Sequence, residues 1–231
     1  MGRIMQNRLV RKLDLEITLS KIKQHPSPKA YLEQYTIPPE VAAELLYIAA
    51  YTYDDIIEKA VADLGCGTGR LAVGSCLLGA KETVGVDIDK IATKTALKNA
   101  EKLDVKGKTQ WITADVTTIR GSFDTVLQNP PFGVQKRKAD RKFLETALKI
   151  GKRIYSLHKS SQKNYRFTKK LEPTKSLSNS ISPTPFLKGF IEKHGGQIRA
   201  VYTMPMTIPF MFNFHRKRRH QFLVDLYIIE T

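Results

Sequence analysis

The stretch Val61-Ala62-Asp63-Leu64-Gly65-Cys66-Gly67-Thr68-Gly69-Arg70 constrains this chain more than any other. Its apolar run breaks into glycines at alternate positions and continues into Leu71, Ala72, Cys76 and Leu77, a helix face of small residues able to lie close to a sheet. Strand, tight turn and helix in that order are the first unit of an open α/β sheet that binds a nucleotide-like ligand beyond the carboxyl ends of its strands. Thr83 to Asp87 reads as the second strand. Asp87 stands about 24 residues past Asp63, close to the offset at which a carboxylate meets ribose hydroxyls. A nicotinamide cofactor suits the same unit, so the spacing alone does not choose the ligand. The turn is Gly-x-Gly-x-Gly and lacks the third glycine of the dinucleotide fingerprint at its usual place, which tilts toward a ligand without a pyrophosphate.

About 65 residues further on, Asp124-Thr125-Val126-Leu127-Gln128-Asn129-Pro130-Pro131-Phe132-Gly133 reads as a buried strand that stops at a rigid turn. The two prolines donate no ladder hydrogen bonds and force the strand to end. They also leave carbonyl acceptors with little competing donation beside the Asn129 amide oxygen, so the turn suits an amino group with two hydrogens to give. Phe132 offers a face for a planar ring. Taken alone, the turn reads equally well as an ordinary proline-rich strand exit with a core phenylalanine. Following a glycine-turn unit, it looks like the substrate turn of an S-adenosylmethionine-dependent amino methyltransferase.

At 231 residues the chain suits one α/β domain with extensions. A net charge of +16 on a chain with 42% hydrophobic residues places the basic excess on a folded surface, and a polyanion is the expected partner. Cys66 and Cys76 have neither metal-ligand nor disulfide-framework spacing and read as small buried hydrophobes in a reducing compartment; no metal site is expected. No apolar run approaches a membrane span and no signal peptide is recognisable, so the expected location is cytoplasmic.

Residues 8 to 24 set Leu9, Leu13, Ile17 and Leu19 to Ile22 as the docking face of an amphipathic helix, which His25-Pro26-Ser27-Pro28 ends. Pro38-Pro39 start a second helix with Val41, Leu45, Leu46 and Ile48 inward. The Gln34-Tyr35 pair before it lies in a segment that closes over a ligand or is simply a linker. Residues 90 to 103 read as a helix with Ile91, Leu97 and Leu103 inward, and Thr109 to Thr113 as the third strand. Asp115 then either accepts an adenine amino group or caps the next turn. From residue 136 to 175 there are fourteen Lys or Arg against three Asp or Glu. Lys136-Arg137-Lys138, beside the Asn-Pro-Pro-Phe turn, suits a phosphate-contacting loop. Ile154 to Leu157 reads as strand five, 162–185 as a polar insertion, and Phe186 to Lys193 as a helix ended by Gly195-Gly196. Two last strands, Ile198 to Met204 and Phe222 to Ile229, flank a segment in which Phe210, Phe212 and Phe214 precede a run of bases. That segment is either a nucleic-acid finger or a strand face packed on the core.

Leu32-Glu33-Gln34-Tyr35, Val61 to Gly67, Asp87-Ile88-Asp89, Phe123 to Val126, Asn129 to Gly133, Tyr155 to Ser161 and Phe214-His215 with its following bases together resemble the methyltransferase-like-five family of ribosomal RNA adenine-N6 methyltransferases. The chain departs from it at Ile37, where the family often has Thr, and in its longer 162–185 insertion. The resemblance implies a class I methyltransferase domain over residues 1–231, with 1–50 as a helical extension closing over the cofactor. Its sheet is seven-stranded and mostly parallel, of order 3-2-1-4-5-7-6, with helices on both faces. The implied cofactor is S-adenosyl-L-methionine, held by Gln34, Tyr35, Ile37, Asp63, Gly65, Gly67, Asp87, Ile88, Asp115, Val116 and Asn129. Asn129, Pro130, Pro131 and Phe132 are the expected catalytic turn. RNA is expected on Lys136, Arg137, Lys138, His158, Lys159, His215, Arg216, Lys217, Arg218 and Arg219. The family also implies a small zinc-binding methyltransferase activator subunit adding a strand beside Thr109 to Thr113, although Trp111 and Ile112 there equally suit a self-sufficient monomer.

The expected reaction is methyl transfer to adenosine N6, in small-subunit ribosomal RNA by resemblance. Guanine N2 and a protein glutamine amide are alternative planar nitrogens for the same turn. A non-enzymatic RNA-binding protein on a relic fold would be expected to lose Asn129, Asp87 or the glycines, all present here, and a nicotinamide oxidoreductase leaves the Asn-Pro-Pro-Phe turn without a use.

Overall fold

The computed structural model describes residues 10–132, 139–161, 182–209 and 219–231, and at 209, 219 and 220 the backbone alone. Seven strands form one sheet: β1 (Ala60–Leu64), β2 (Glu82–Asp87), β3 (Thr109–Thr113), β4 (Phe123–Gln128), β5 (Gly151–Lys159), β6 (Gln197–Pro209) and β7 (Arg219–Glu230). Their spatial order is β3-β2-β1-β4-β5-β7-β6, as expected. The pairs among β1 to β5 are parallel, while β7 runs antiparallel to both β5 and β6. The strand order reverses at β1 and β4, whose adjacent carboxyl ends carry the glycine turn and the Asn129 turn. That crevice is the switch point at which open α/β sheets bind ligands.

Helices α1 (Lys12–Ser20), α2 (Pro39–Tyr47), α3 (Arg70–Leu77), α4 (Lys90–Lys102), α5 (Ala139–Ile150) and α6 (Pro185–Lys193) cover the sheet. Two apolar cores result, one joining α1, α2 and α3 to the sheet and one joining α5 and α6 to it. Central β1 is buried on both faces, so it reads as a continuous apolar run and not as an alternation. Pro39 occupies the first turn of α2, where its missing N–H costs nothing. Asp89 caps α4 by accepting from the Ile91 N–H at 2.8 Å. Pro205 and Pro209 are tolerated in β6 because it is a sheet edge.

Three expectations need correction. The docking face of α1 is Leu15 and Leu19, followed by Ile22, at spacings of four and three; Leu13 and Ile17 point outward, 62% and 50% exposed. Apolar residues at 13, 15, 17 and 19 fit two helical faces, and packing against α2 selects one of them. On α4 the buried face is Ala92, Thr93, Ala96, Asn99 and Ala100, with Ile91 exposed, because Trp111 and the glycine turn leave room only for small side chains. The last two strands are longer than the stretches 198–204 and 222–229, since ladder pairing carries β6 on to Pro209, with Met206 and Ile208 buried, and brings β7 in from Arg219. Residues 162–181 of the insertion and 210–218 of the aromatic and basic segment lie outside the described residues.

Among the described residues no helix is long and apolar enough to cross a membrane. Cys66 and Cys76 are both buried free thiols.

Candidate active site

A cavity of about 430 Å³ opens beyond the carboxyl ends of β1 to β4. The glycine turn after β1 forms its floor. Gly67, with φ at +53°, has nothing within 4 Å of where a Cβ would sit, so the backbone itself faces the open space. Gly69 is also at positive φ, and a Cβ there would lie 2.6 Å from the Trp111 ring, so a glycine is what lets the helix start approach α4 and β3 so closely.

Asp87 closes this turn. One of its carboxylate oxygens accepts from the Gly67 N–H and the other from the Asp89 N–H, each at 2.8 Å. Each oxygen retains a further acceptor site for hydroxyls entering the cavity. Burial raises the Asp87 carboxyl above its ordinary range, countered by those two N–H bonds. Asp63, at the end of β1, accepts from the Ala72 N–H at 3.0 Å and so ties the strand to the first turn of α3. It is 2% exposed, and burial pushes its pKa up to about 7, with Asp87 adding to the rise. Two carboxylates in one apolar crevice leave it short of positive charge. That deficit, the open backbone at Gly67 and the spare acceptor sites on Asp87 fit a cationic nucleoside such as S-adenosyl-L-methionine.

One wall of the cavity is the strap of residues 21 to 38 between α1 and α2. Gln34 and Tyr35 line the cavity, but both polar ends of Gln34 are used within the protein: its oxygen accepts from the Lys29 N–H at 2.8 Å and its nitrogen donates to Asp89 at 3.0 Å. Lys29 adds an ion pair with Asp89 at 3.0 Å. Burial alone would raise Asp89, yet these bonds and the Ile91 N–H outweigh it and hold the carboxyl well below its usual range. The Ile37 side chain is buried, and its carbonyl accepts from the guanidinium of Arg70, which also reaches the Ile22 carbonyl at 3.5 Å. Arg70 is 4% exposed and therefore pins both ends of the strap to the start of α3. Its role was not apparent in the sequence, although a charged residue leading an otherwise small and apolar helix face was the signal.

Ile88 and Val116 line the cavity on the far side, one exposed and the other buried. Asp115 also lines it, but its side chain caps the turn after β3, accepting from the Thr117 N–H at 2.9 Å and the Thr117 hydroxyl at 2.8 Å. Sequence reading missed the α5 wall. Ala139, Lys142 and Phe143 face the cavity, and the Phe143 ring sits against Gly65, leaving only 2.7 Å to a Cβ there. Leu144, Ala147 and Leu148 at helical spacing would have located this helix.

The Asn129 turn stands at the cavity's inner end. Asn129 and Pro131 line it and Pro130 is buried behind them. The Asn129 Oδ1 atom is buried with no hydrogen-bond partner among the described residues. Burial drives the pKa of the Tyr35 hydroxyl far above its usual value, and the neighbouring Asn129 amide opposes that rise. Phe132 is held between Tyr35, centroids 5.6 Å apart, and Phe222, edge-on at 5.7 Å. Immediately before Asn129, the Gln128 amide donates to Ser156 Oγ at 2.8 Å, and Ser156 Oγ lies 2.8 Å from His158 Nε2. His158 is 5% exposed and burial lowers its pKa to about 4, so it is a neutral brace beneath the turn and presents nothing to a phosphate. Lys159 is exposed beside it. Lys136, Arg137, Lys138, His215, Arg216, Lys217 and Arg218 lie outside the described residues, and Arg219 is described by its backbone only.

Comparison with known proteins agrees with this geometry. Residues 42–164 match the Methyltransferase small domain family. The chain is 38% identical to an uncharacterized protein of Methanocaldococcus jannaschii over 96% of its own length and 95% of that protein's. It is 41% identical to the rRNA N(6)-adenosine-methyltransferase Mettl5 of Drosophila melanogaster, covering 68% of this chain and 77% of that one. Among solved structures, a proposed RNA methyltransferase from Pyrococcus horikoshii superposes with a TM-score of 0.80 at 38% identity, covering 96% of this chain and 98% of the other.

Proposed function

Because the chain belongs to the rRNA N6-adenosine methyltransferase family that includes Mettl5, we propose that it transfers a methyl group from S-adenosyl-L-methionine to the exocyclic N6 of an adenosine in ribosomal RNA. The observation that carries this reading is the buried Oδ1 of Asn129 facing the cavity, an acceptor without a donor among the described residues. A buried acceptor in that condition costs about 1–3 kcal/mol, a loss recovered when a substrate N–H arrives.

An adenine amino group is a weak nucleophile because its lone pair is spread into the ring. Asn129 Oδ1 and the Pro130 carbonyl accept its two hydrogens, which concentrates the lone pair on nitrogen and stabilises the positive charge growing there. The Gln128 amide, anchored through Ser156 to neutral His158, holds this turn in register, so the acceptors need no reorganisation during reaction. The cofactor, when bound, supplies a methyl group already activated on a sulfonium, so the protein contributes mainly alignment. Asp87 would take its ribose hydroxyls, the Gly65 to Gly67 backbone its approach to the floor, and Ile88, Val116 and Phe143 its adenine. Phe132, fixed by Tyr35 and Phe222, offers the ring edge against which an extruded base settles.

The same resemblance supports a partner at the sheet edge. Among the described residues β3 pairs only with β2; Trp111 turns inward beneath the glycines while Ile112 stays 38% exposed on the outer side. An edge of this kind suits an added strand from an activator subunit. Reduced hydrogen exchange at residues 109–113 on co-expression is the expected sign, and unchanged exchange would reject it.

Incubation with labelled S-adenosyl-L-methionine and ribosomal RNA, followed by nucleoside mass spectrometry, tests the main reading. N6-methyladenosine is the expected product. Label appearing only in N2-methylguanosine or in protein would overturn it.

A further inference from the structure

Helix α4 breaks two rules of helix electrostatics at once. Lys90, Lys94, Lys98 and Lys102 follow one another at intervals of four residues, and all are exposed. Like charges at that spacing are neighbours on the helix surface and repel by about 0.2–0.5 kcal/mol per pair. Lys90 also stands at the helix N-terminus, the end whose dipole disfavours a cation. The Asp89 cap offsets the charge at that end, but the repulsion along the row is not relieved among the described residues. Among the described residues Lys90, Lys94 and Lys98 have no ion pair, whereas Lys29, Lys106, Lys149 and Lys152 each hold an acid within 3.0 Å. Glu101, the one acid of α4, is 2.7 Å from Lys106.

Two more lysines are built into the same surface. The Asn99 amide brackets Lys23, accepting from its N–H at 3.0 Å and donating to its carbonyl at 3.1 Å, and Lys102 Nζ lies 3.4 Å from the Lys21 carbonyl. The strap is therefore docked on α4 so that exposed Lys21 and Lys23 stand beside the lysine row. The row begins at the cavity mouth, since Ile88, which lines the cavity, is two residues from Lys90. It runs about 18 Å along the helix, one cation roughly every 6 Å.

We propose that α4 and the docked strap form a phosphate track for the RNA substrate, a contact surface separate from the basic sequence around the Asn129 turn. It rests on the RNA methyltransferase reading and deepens it: the substrate is a strand that leaves the cavity across α4, and each lysine met by a phosphate releases a counterion. Local repulsion that would be a defect in a free helix is relieved when the strand binds, as expected where local rules are broken for function.

The test uses the full chain with Lys90, Lys94 and Lys98 changed together to Gln, a good helix former. A control changes Lys149, Lys152 and Lys188, so that net charge falls equally. Binding of a single-stranded RNA is measured by anisotropy across salt, and methyl transfer is measured separately. Losing three phosphate contacts should lower the salt slope by about 2, so that over a fourfold rise in salt the α4 variant loses about twentyfold less affinity than the wild type. KM for RNA should rise while kcat at saturating RNA and cofactor affinity stay unchanged, and the control should behave as wild type. An α4 variant with the wild-type slope, or a control that loses as much, would overturn the proposal. So would a variant that loses only its binding to anionic phospholipid vesicles. If the wild type binds RNA with the expected slope difference but methylates no adenosine, the track stands and the enzymatic reading falls.

Discussion

On the flank of the glycine turn, the amides and carboxylates that shape the cavity are already partnered: Asp87 with two N–H groups, Asp89 with Gln34, Lys29 and Ile91, and Asn99 with Lys23 and Thr68. Across the cavity, Asn129 Oδ1 is buried without a partner among the described residues. The amides and carboxylates of the first flank are finished before any ligand arrives, although the Thr68 hydroxyl there is likewise buried without a partner, and the Asn129 acceptor of the second is completed only by one. The difference matches the two tasks proposed for them, since a cofactor site must keep its shape through every turnover, while a catalytic acceptor is most useful when nothing in the ground state competes for it.

The largest effect that sharpens this contrast is loss of the waiting acceptor. Asn129→Ala should lower the methyl-transfer rate about 100- to 1000-fold, the usual consequence of deleting one preorganised group aimed at developing charge. Cofactor affinity, read by isothermal titration, should stay within a few-fold. On the finished flank the pattern should invert. Asp87→Ala removes the spare acceptor sites and the clasp on Gly67, and should weaken cofactor binding about 10- to 100-fold, the range for hydrogen bonds to a charged group. If Asn129→Ala lost the cofactor and Asp87→Ala kept it, the division between flanks would be wrong.

How much of this was readable in the chain follows the same division. The glycine turn, Asp87 and the Asn-Pro-Pro-Phe turn are local signals: glycines and prolines fix backbone shape within a few residues, so their chemistry is legible at once. The strand order came with them through resemblance to a family with one topology. What escaped depends on distant packing. Arg70 acts on Ile22 and Ile37, 48 and 33 residues away in sequence. Phe143 gains its place only when α5 lies against Gly65. His158 reads as a basic residue in a basic stretch, yet its position opposite Asp225 in the β5–β7 ladder buries it and removes its charge. On α1 the alternation of Leu13, Leu15, Ile17 and Leu19 leaves the face ambiguous until α2 is in place.

The smallest predicted effect separates the flanks by the sign of their response to pH. Asp63, on the finished flank, has its pKa raised from an ordinary 3.8 to about 7, so between those values the folded chain keeps a proton that the unfolded chain has released. The stability linked to that proton is fully present below 3.8 and is lost as pH rises through 7. His158, under the waiting turn, is lowered from 6.5 to about 4, and in that window the unfolded chain holds the extra proton. Its contribution is present above 6.5 and is lost as pH falls through 4. Asp63→Asn keeps an oxygen for the Ala72 N–H but cannot titrate, and His158→Gln keeps a polar group for Ser156. Relative to the wild type, the melting temperature of Asp63→Asn without cofactor should therefore climb from pH 4 to 7. That of His158→Gln should climb in the opposite direction, from pH 6.5 down to 4. Two flat difference curves would mean that neither group is desolvated as its burial implies, and two slopes of the same sign would erase the contrast between the flanks.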